Sequence, residues 1–545
     1  MKRFTKLSAL FLSLILVIGS FASCSGKKEA VNTSEAYTYW TSVDTNTSQT
    51  ISSYSELLMY QEMEKATGTK IKFIHPSKGS TGTEAFQILM ASGDYPDMIE
   101  YNWASYTGGP DQAIDDGVII SLNEYMEDYA PNYYNYMEGE AGKKEGNRYK
   151  ATAMSDKGNY YGFRSLNIGT YASFSGIYIR KDLLDKWGLD IPVTIADWDN
   201  VLATAKENGV KYPITGSEQL IDATKWGVDT FNLAWKVSNG FYLDDGKVKF
   251  GPFEKSYKDY VAKMAEWMKK GYLDIDFVTN GTNEIQGAIC NGTSIATRGF
   301  VGGDLGSLIP AMKEREPGFN LAACPMPVLK EGEVPFMQSV QSASTDPTIA
   351  VTVQCGADNE DRYKEAIQWC DYLYSEEGIA LKIFGVEGDT YTIEKDEDGN
   401  KHYVYTDKVV KNFEEFGASN ISAALYHFML PANHPGFNQH PDYFEGYYEL
   451  QQQKDAVAVW NAEIEEARKH VFPSVSYTGE EATEKANIET AGKDNFIVAV
   501  HDIVFGKKDI DTYDDAVKAL KKAGYDKLLE IAEAAYGRYL DKLEN

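Results

Sequence analysis

A-Y-T-Y-W (36–40), K-I-K-F-I-H (70–75) and D-M-I-E-Y-N-W (97–103) are three strand-like runs separated by two helical ones, and this alternation decides the fold. The first interval opens on S-Y-S-E (53–56), a capping box. Met59, Met63 and Ala66 follow on one helical face, and Gly68 acts as a stop. In the second interval Phe86, Leu89 and Met90 mark a helix ended by Gly93. Strands joined through helices need crossover connections, so the unit reads βαβαβ in a largely parallel sheet with helices on both faces. Open sheets of this kind bind ligands at the carboxyl ends of their strands. That places Trp40, Asn102 and Trp103 at a candidate rim, although each Trp could equally be a packing residue.

Outward from this unit the alternation continues. Thr194 stands three residues before Asp197 as a helix cap, and Lys255 to Lys270 carries Tyr257, Tyr260, Val261, Met264, Trp267 and Met268 in one stripe, ended by Gly271. D-D-G-K (244–247) and D-E-D-G-N (396–400) read as hairpin turns. The second half-matches a calcium loop, but Lys401 stands where that loop needs Gly. The chain closes on two helical runs split at Gly524.

With 545 residues the chain should form two or more lobes. Its 43% apolar and 25% charged composition excludes a mainly disordered protein. A net charge of −28 repels phosphate backbones, so nucleic acid is a poor partner. Lys2, Arg3 and Lys6, the apolar run Leu7 to Ile18 and the small residues after it form an export signal over 1–23. F-A-S-C then resembles a lipoprotein cleavage box, with Cys24 as lipid acceptor and 24–33 as a polar tether. Cys290, Cys324, Cys355 and Cys370 are expected to be free thiols rather than disulfides, since a core this large needs no staples.

A set of motifs in fixed order carries a resemblance: A-S-G-D-Y-P-D-M-I (91–99), G-I-Y-I-R-K-D-L-L (176–184), P-V-T-I-A-D-W (192–198), N-G-T-S-I-A-T (291–297), F-G-V-E-G-D-T-Y (384–391) and A-A-Y-G-R-Y (534–539). Together they resemble the extracellular solute-binding lipoproteins of carbohydrate ABC importers, in the branch related to alginate-oligosaccharide binders. The resemblance implies an α/β, two-lobed periplasmic-binding-protein-like fold with mainly parallel sheets, flanking helices and a hinge between the lobes. By analogy lobe one takes 34–125 and 350–404, and lobe two 126–349 and 405–545. It also implies an oligosaccharide ligand, permease subunits as partners, a monomer tethered by its lipid to the outer face of a bacterial cell membrane, and no cofactor. Alginate binders carry an acidic calcium loop after the P-x-T segment. Here that stretch reads N-V-L-A-T-A-K-E-N-G, so no metal is expected.

Sugar rings pack a C–H face on aromatic surface and present hydroxyls to convergent polar groups, and 37 Tyr and 9 Trp supply both kinds of partner. Trp40, Trp103, Trp226 and Phe300 are the stacking candidates. Phe300 follows the strand N-G-T-S-I-A-T-R-G, where the resemblance implies an aromatic platform. Asn102, Arg164, Arg298, Glu387 and Tyr391 are the hydrogen-bonding candidates. The competing reading is an exported glycoside hydrolase or lyase. Such an enzyme needs two carboxylates at a defined separation, and no spacing among the 81 acidic residues singles out a pair. His427, His434 and His440, interleaved with prolines, read as a structured loop.

Overall fold

The computed structural model describes residues 35–544 apart from 78–80, 168–172, 218–229, 337–341, 419–420, 432 and 439. Cys24 with its signal and tether, and Trp226, lie outside the described residues.

The opening unit folds as its alternation dictates. Strands β1 (Tyr37–Trp40), β2 (Ile71–Ile74) and β3 (Met98–Tyr101) pair in parallel, with β1 between the other two. The Ser53–Glu56 box caps a single tight turn, and the helix Leu58–Thr67 starts after it, burying Met59 and Met63 and stopping at left-handed Gly68. Three more strands complete a six-stranded sheet: β4 (Phe163–Asn167), β10 (Ser344–Val351) and β13 (Gly436–Asn438), in the order β13-β4-β10-β3-β1-β2. β10 runs antiparallel to both β3 and β4.

A second sheet, in the order β8-β5-β9, is built from β5 (Ser175–Arg180), β8 (Ala296–Phe300) and β9 (Leu321–Ala323), and is antiparallel throughout. Two hairpins, β6–β7 (Phe241–Asp244, Lys247–Phe250) and β11–β12 (Tyr391–Lys395, Lys401–Tyr405), turn where expected. In the first of them Asp245 and Gly246 both have positive φ, as its two-residue turn requires. The expectation of mainly parallel sheets therefore holds for β1–β3 and for the β4–β13 pair, and gives way where β10 enters and throughout the smaller sheet. Strands that enter a sheet late in the chain, such as β10, are not bound by the crossover rule that fixes consecutive βαβ units.

Each sheet has its own core. The larger sheet's core draws on residues from Tyr37 to Leu166, Ala343 to Leu381, and Leu430 and Phe437. The smaller sheet's core draws on Ile177 to Phe336 and then on Tyr448 to Leu528. Residues 126–167, expected in lobe two, instead supply β4 and bury Met126, Tyr133 and Tyr149 beneath the larger sheet. Likewise β13, expected in lobe two, adds its strand to the larger sheet.

The motifs that carried the resemblance are mostly scaffold. Asp97 of G-D-Y-P-D accepts from the Thr38 backbone N–H and hydroxyl, each at 2.7 Å, and from Arg362 at 3.0 Å, tying β1 to β3. Arg180 of R-K-D-L-L is 2% exposed and donates to Asp182 and Glu316, both at 2.7 Å. Thr194 caps the helix Ile195–Glu207 by accepting from the Asp197 N–H. In return the Thr194 backbone N–H, first among several donors, holds the Asp197 carboxyl below the usual carboxylate range. Thr194→Ala is expected to cost about 1 kcal/mol in denaturant unfolding. Because the folded-state pKa of Asp197 is depressed, its contribution is complete above the ordinary carboxylate pKa and fades as pH falls through the lowered value. Asp197→Asn should accordingly flatten the acid limb of the stability profile.

The four cysteines among the described residues are free thiols, as expected. Cys324, Cys355 and Cys370 are buried, and Cys290 is half-buried. No described helix is long and apolar enough to cross a membrane.

Candidate functional site

Strand β8 ends in a surface-exposed aromatic. Side chains alternate along it, so Arg298 and Phe300 share a face, with the guanidinium carbon 5.8 Å from the Phe300 ring centroid. Arg298 also donates to Ser175 Oγ at 2.7 Å. Phe300 is 57% exposed. Its backbone is held where the strand breaks into a π-helical turn, Val301–Leu305, because Asp304 accepts from the Phe300 N–H at 2.7 Å and from Gln286 at 3.0 Å. π-Turns are rare and are frequently found at functional sites. A large aromatic left open on a fixed strand end, beside a cation, offers a flat apolar face and hydrogen-bond donors together.

Next to this turn lies a cavity of about 170 Å3. Its described wall draws Phe174 from the start of β5, Leu425 and Met429 from the segment 421–430, Asn438 from β13, and Tyr443 and Tyr447 from the helix Pro441–Tyr447 and its surroundings. Val301 N–H donates to the Phe174 carbonyl at 3.0 Å, and a Cβ on Gly302 would fall 2.6 Å from the Tyr447 hydroxyl, so the cavity adjoins the turn after Phe300. It gathers residues from both cores at the place where the chain passes from β13 back to the smaller sheet.

The other expected site residues are distributed unevenly. Trp40 is 4% exposed and packs on Phe86 and Tyr101, and Trp103 is wholly covered and meets Phe86 edge-on at 5.5 Å. Both rings belong to the core cluster beneath β3, and neither offers a face to a ligand. The strands end where expected, but the helix carrying Phe86 covers the rings. Asn102 is exposed and caps the short turn Trp103–Ser105 by accepting from Ala104 N–H. Arg164, also buried, lies in β4 and donates to Ser344 Oγ at 3.0 Å and to the Tyr161 hydroxyl; burial disfavours its charge, yet Asp346 and neighbouring tyrosines raise its pKa further. Glu387 is exposed in the turn before β11. Tyr391 is buried with Phe384 and Tyr403, in the cluster that includes Leu425 and Met429; burial first, then Glu387, pushes its hydroxyl up to about 12.

The histidines have structural surroundings. His434 is buried with Nδ1 2.6 Å from Glu100 and Nε2 2.8 Å from the Tyr54 hydroxyl. Burial would raise the Glu100 carboxyl, but the His434 charge and hydrogen bonds from His434, Tyr39 and Thr41 outweigh it and hold the group below its usual range. His427 stacks on Phe416, and His440 caps the helix Pro441–Tyr447.

Sequence reasoning missed Phe174, Tyr443, Phe444 and Tyr447. The run P-D-Y-F-E-G-Y-Y (441–448) carried a signal, with aromatics spaced three and four apart and so sharing a helix face. Without the neighbouring segment 421–430 nothing indicated that this face borders a cavity.

Comparison with known proteins agrees with this architecture. The family model for bacterial extracellular solute-binding proteins matches residues 46–380. The fructooligosaccharide ABC transporter substrate-binding protein FusA of Streptococcus pneumoniae serotype 4 is 28% identical over 238 residues, 40% of this chain and 42% of that protein. The match thus spans less than half the length of that relative. Among solved structures, the alginate-binding protein AlgQ2 without calcium ion superposes with a TM-score of 0.68 at 22% identity, over 94% of this chain and 100% of its own. An HMO binding ABC-transporter associated solute binding protein from Bifidobacterium longum infantis superposes with a TM-score of 0.71 at 16% identity, over 92% of this chain and 99% of its own. Both likenesses establish the two-lobed fold.

Proposed function

Since this chain belongs to the bacterial extracellular solute-binding protein family, we propose that it captures an oligosaccharide between its two lobes and delivers it to the permease of an ABC importer. Members of the family bind solutes and are not enzymes, and the chain acts here without altering its ligand. The observation that carries the reading is Phe300, a largely exposed ring fixed at a strand end beside Arg298. A sugar's C–H face stacks on such a ring while its hydroxyls accept from the guanidinium. Arg298, Phe300, Asn102 and Glu387 are the side chains proposed to meet ligand from outside the two cores. Names of relatives that bind fructooligosaccharide and alginate support the saccharide class.

Capture works by differential affinity. In an open form each half-site is hydrated, and a ligand that touches both lobes favours the closed form only by what it gains there. The permease then tells loaded from empty protein by shape. Cys24 carries the lipid that keeps the protein at the outer face of the membrane, and the chain acts as a monomer.

Thermal denaturation against a panel of oligosaccharides tests this directly. A ligand at a hundred times its Kd adds about 2.7 kcal/mol of stability. X-ray scattering should show a smaller radius of gyration with that ligand. The same mixtures should contain no new reducing ends; their appearance would replace capture by hydrolysis. Labelled palmitate should enter the wild type and not Cys24→Ala.

A further inference from the structure

The cavity beside the Phe300 turn is walled largely by stacked aromatic and aliphatic side chains. Phe174 and Phe444 stack with centroids 4.5 Å apart, and Tyr443 and Tyr447 stack at 5.3 Å. Leu425 and Met429, 1% and 2% exposed, close the wall opposite in kind. Among the described lining residues Asn438 is the one polar side chain that is not a tyrosine. Its amide is committed: Nδ2 donates to Ser165 Oγ and Oδ1 accepts from the buried Lys382 Nζ. The Tyr447 hydroxyl shares a 2.7 Å hydrogen bond with Ser422.

Most of the wall, from Phe174, Ile383, Leu425, Met429, Leu430 and Phe444, offers a sugar's hydroxyls no partner, and the hydroxyls of the four lining tyrosines are the exceptions. A carbon ring would lose nothing and gain its hydrophobic transfer. Size agrees, because a volume of about 150 Å3 lined by aliphatic and aromatic side chains is enough to bind benzene. The volume here, about 170 Å3, holds one six-membered ring. The location agrees as well, since Phe174 and Tyr447 touch the backbone that follows Phe300.

We propose that this cavity is a subsite for an aryl group attached to the saccharide, so that the ligand class includes glycosides with an aromatic aglycone. The sugar half of the proposal rests on the carbohydrate reading above, and the ring half stands on the cavity alone. No covalent step is involved.

Two measurements on the full mature chain test it. Benzene, titrated alone, should raise the melting temperature saturably. Phenyl and methyl glycosides of glucose, galactose, mannose and fructose should then be compared by calorimetry. For at least one sugar the phenyl glycoside should bind tenfold or more tighter, and benzene should compete with it. Leu425→Phe, which fills the cavity, should abolish both the benzene shift and the phenyl-over-methyl difference; if that variant does not fold, the benzene competition tests the aryl site without it. Absence of benzene binding, or equal phenyl and methyl affinities for every sugar that binds, overturns the aryl subsite. Benzene binding with no glycoside or oligosaccharide bound overturns the glycoside as carrier, together with the carbohydrate reading.

Discussion

Trp103→Ala is expected to lower unfolding stability by about 3–5 kcal/mol, the range for emptying a buried large aromatic site. Its ring is fully covered and packs against Phe86 and Tyr106 under the carboxyl end of β3. The surrounding cluster also holds Trp40, Ile99, Ile119 and Tyr161, so collapse into the gap would have to move β3 itself. The indole N–H has no acceptor among the described residues, so Trp103→Phe should lose only a small fraction of that stability. Urea unfolding of both variants checks the ordering. Ligand affinity per folded molecule should stay within about threefold for either variant, since no face of the ring reaches solvent. Lost affinity with intact stability would make Trp103 a ligand platform after all.

Phe300→Ala is expected to do the reverse. With 57% of the residue exposed, truncation removes little buried area, and stability should hardly move. If the ring is the central anchor of the site, affinity for the bound oligosaccharide should fall by about 2 kcal/mol or more, roughly thirtyfold. Arg298 loses its ring neighbour in this variant and keeps Ser175. Phe300→Tyr preserves the flat face and should retain most of the affinity, which separates stacking from a general disturbance of the π-helical turn. Calorimetry on both variants, with denaturant curves alongside, makes the comparison. Unchanged binding by Phe300→Ala would remove the residue from the site.

These paired expectations show how differently two aromatics at strand ends were legible. Trp40, Trp103 and Phe300 all sit where an open α/β sheet receives ligands, and position along the chain treats them alike. What separates them is cover. The helix Gly82–Ser92 brings Phe86 over the first two, while the Val301–Leu305 turn swings the chain away from Phe300. Arg164 was misjudged for a related reason, since its polar partners Ser344 and Asp346 arrive from β10, some 180 residues on. The lobe assignment of residues 126–167 failed similarly, because a helical stripe says that a helix is buried and not under which sheet.

By itself the sequence determined the local and consecutive features: the βαβαβ start, both hairpins, the Thr194 cap, the Gly68 and Gly93 stops, the stripe over Lys255–Lys269 and the free thiols. Each depends on residues within a few positions of one another or on composition, so the backbone's own periodicity and capping chemistry suffice. Only the tertiary structure decided the rest: the antiparallel entry of β10, the return of β13 to the larger sheet, the burial of Trp103 and Arg164, and the aromatic cavity drawn from residues 174, 421–430, 438 and 443–448. Those features arise where segments distant in the chain compete to cover the same apolar surface, and the winner is set by the packing of the whole molecule, which no local pattern encodes.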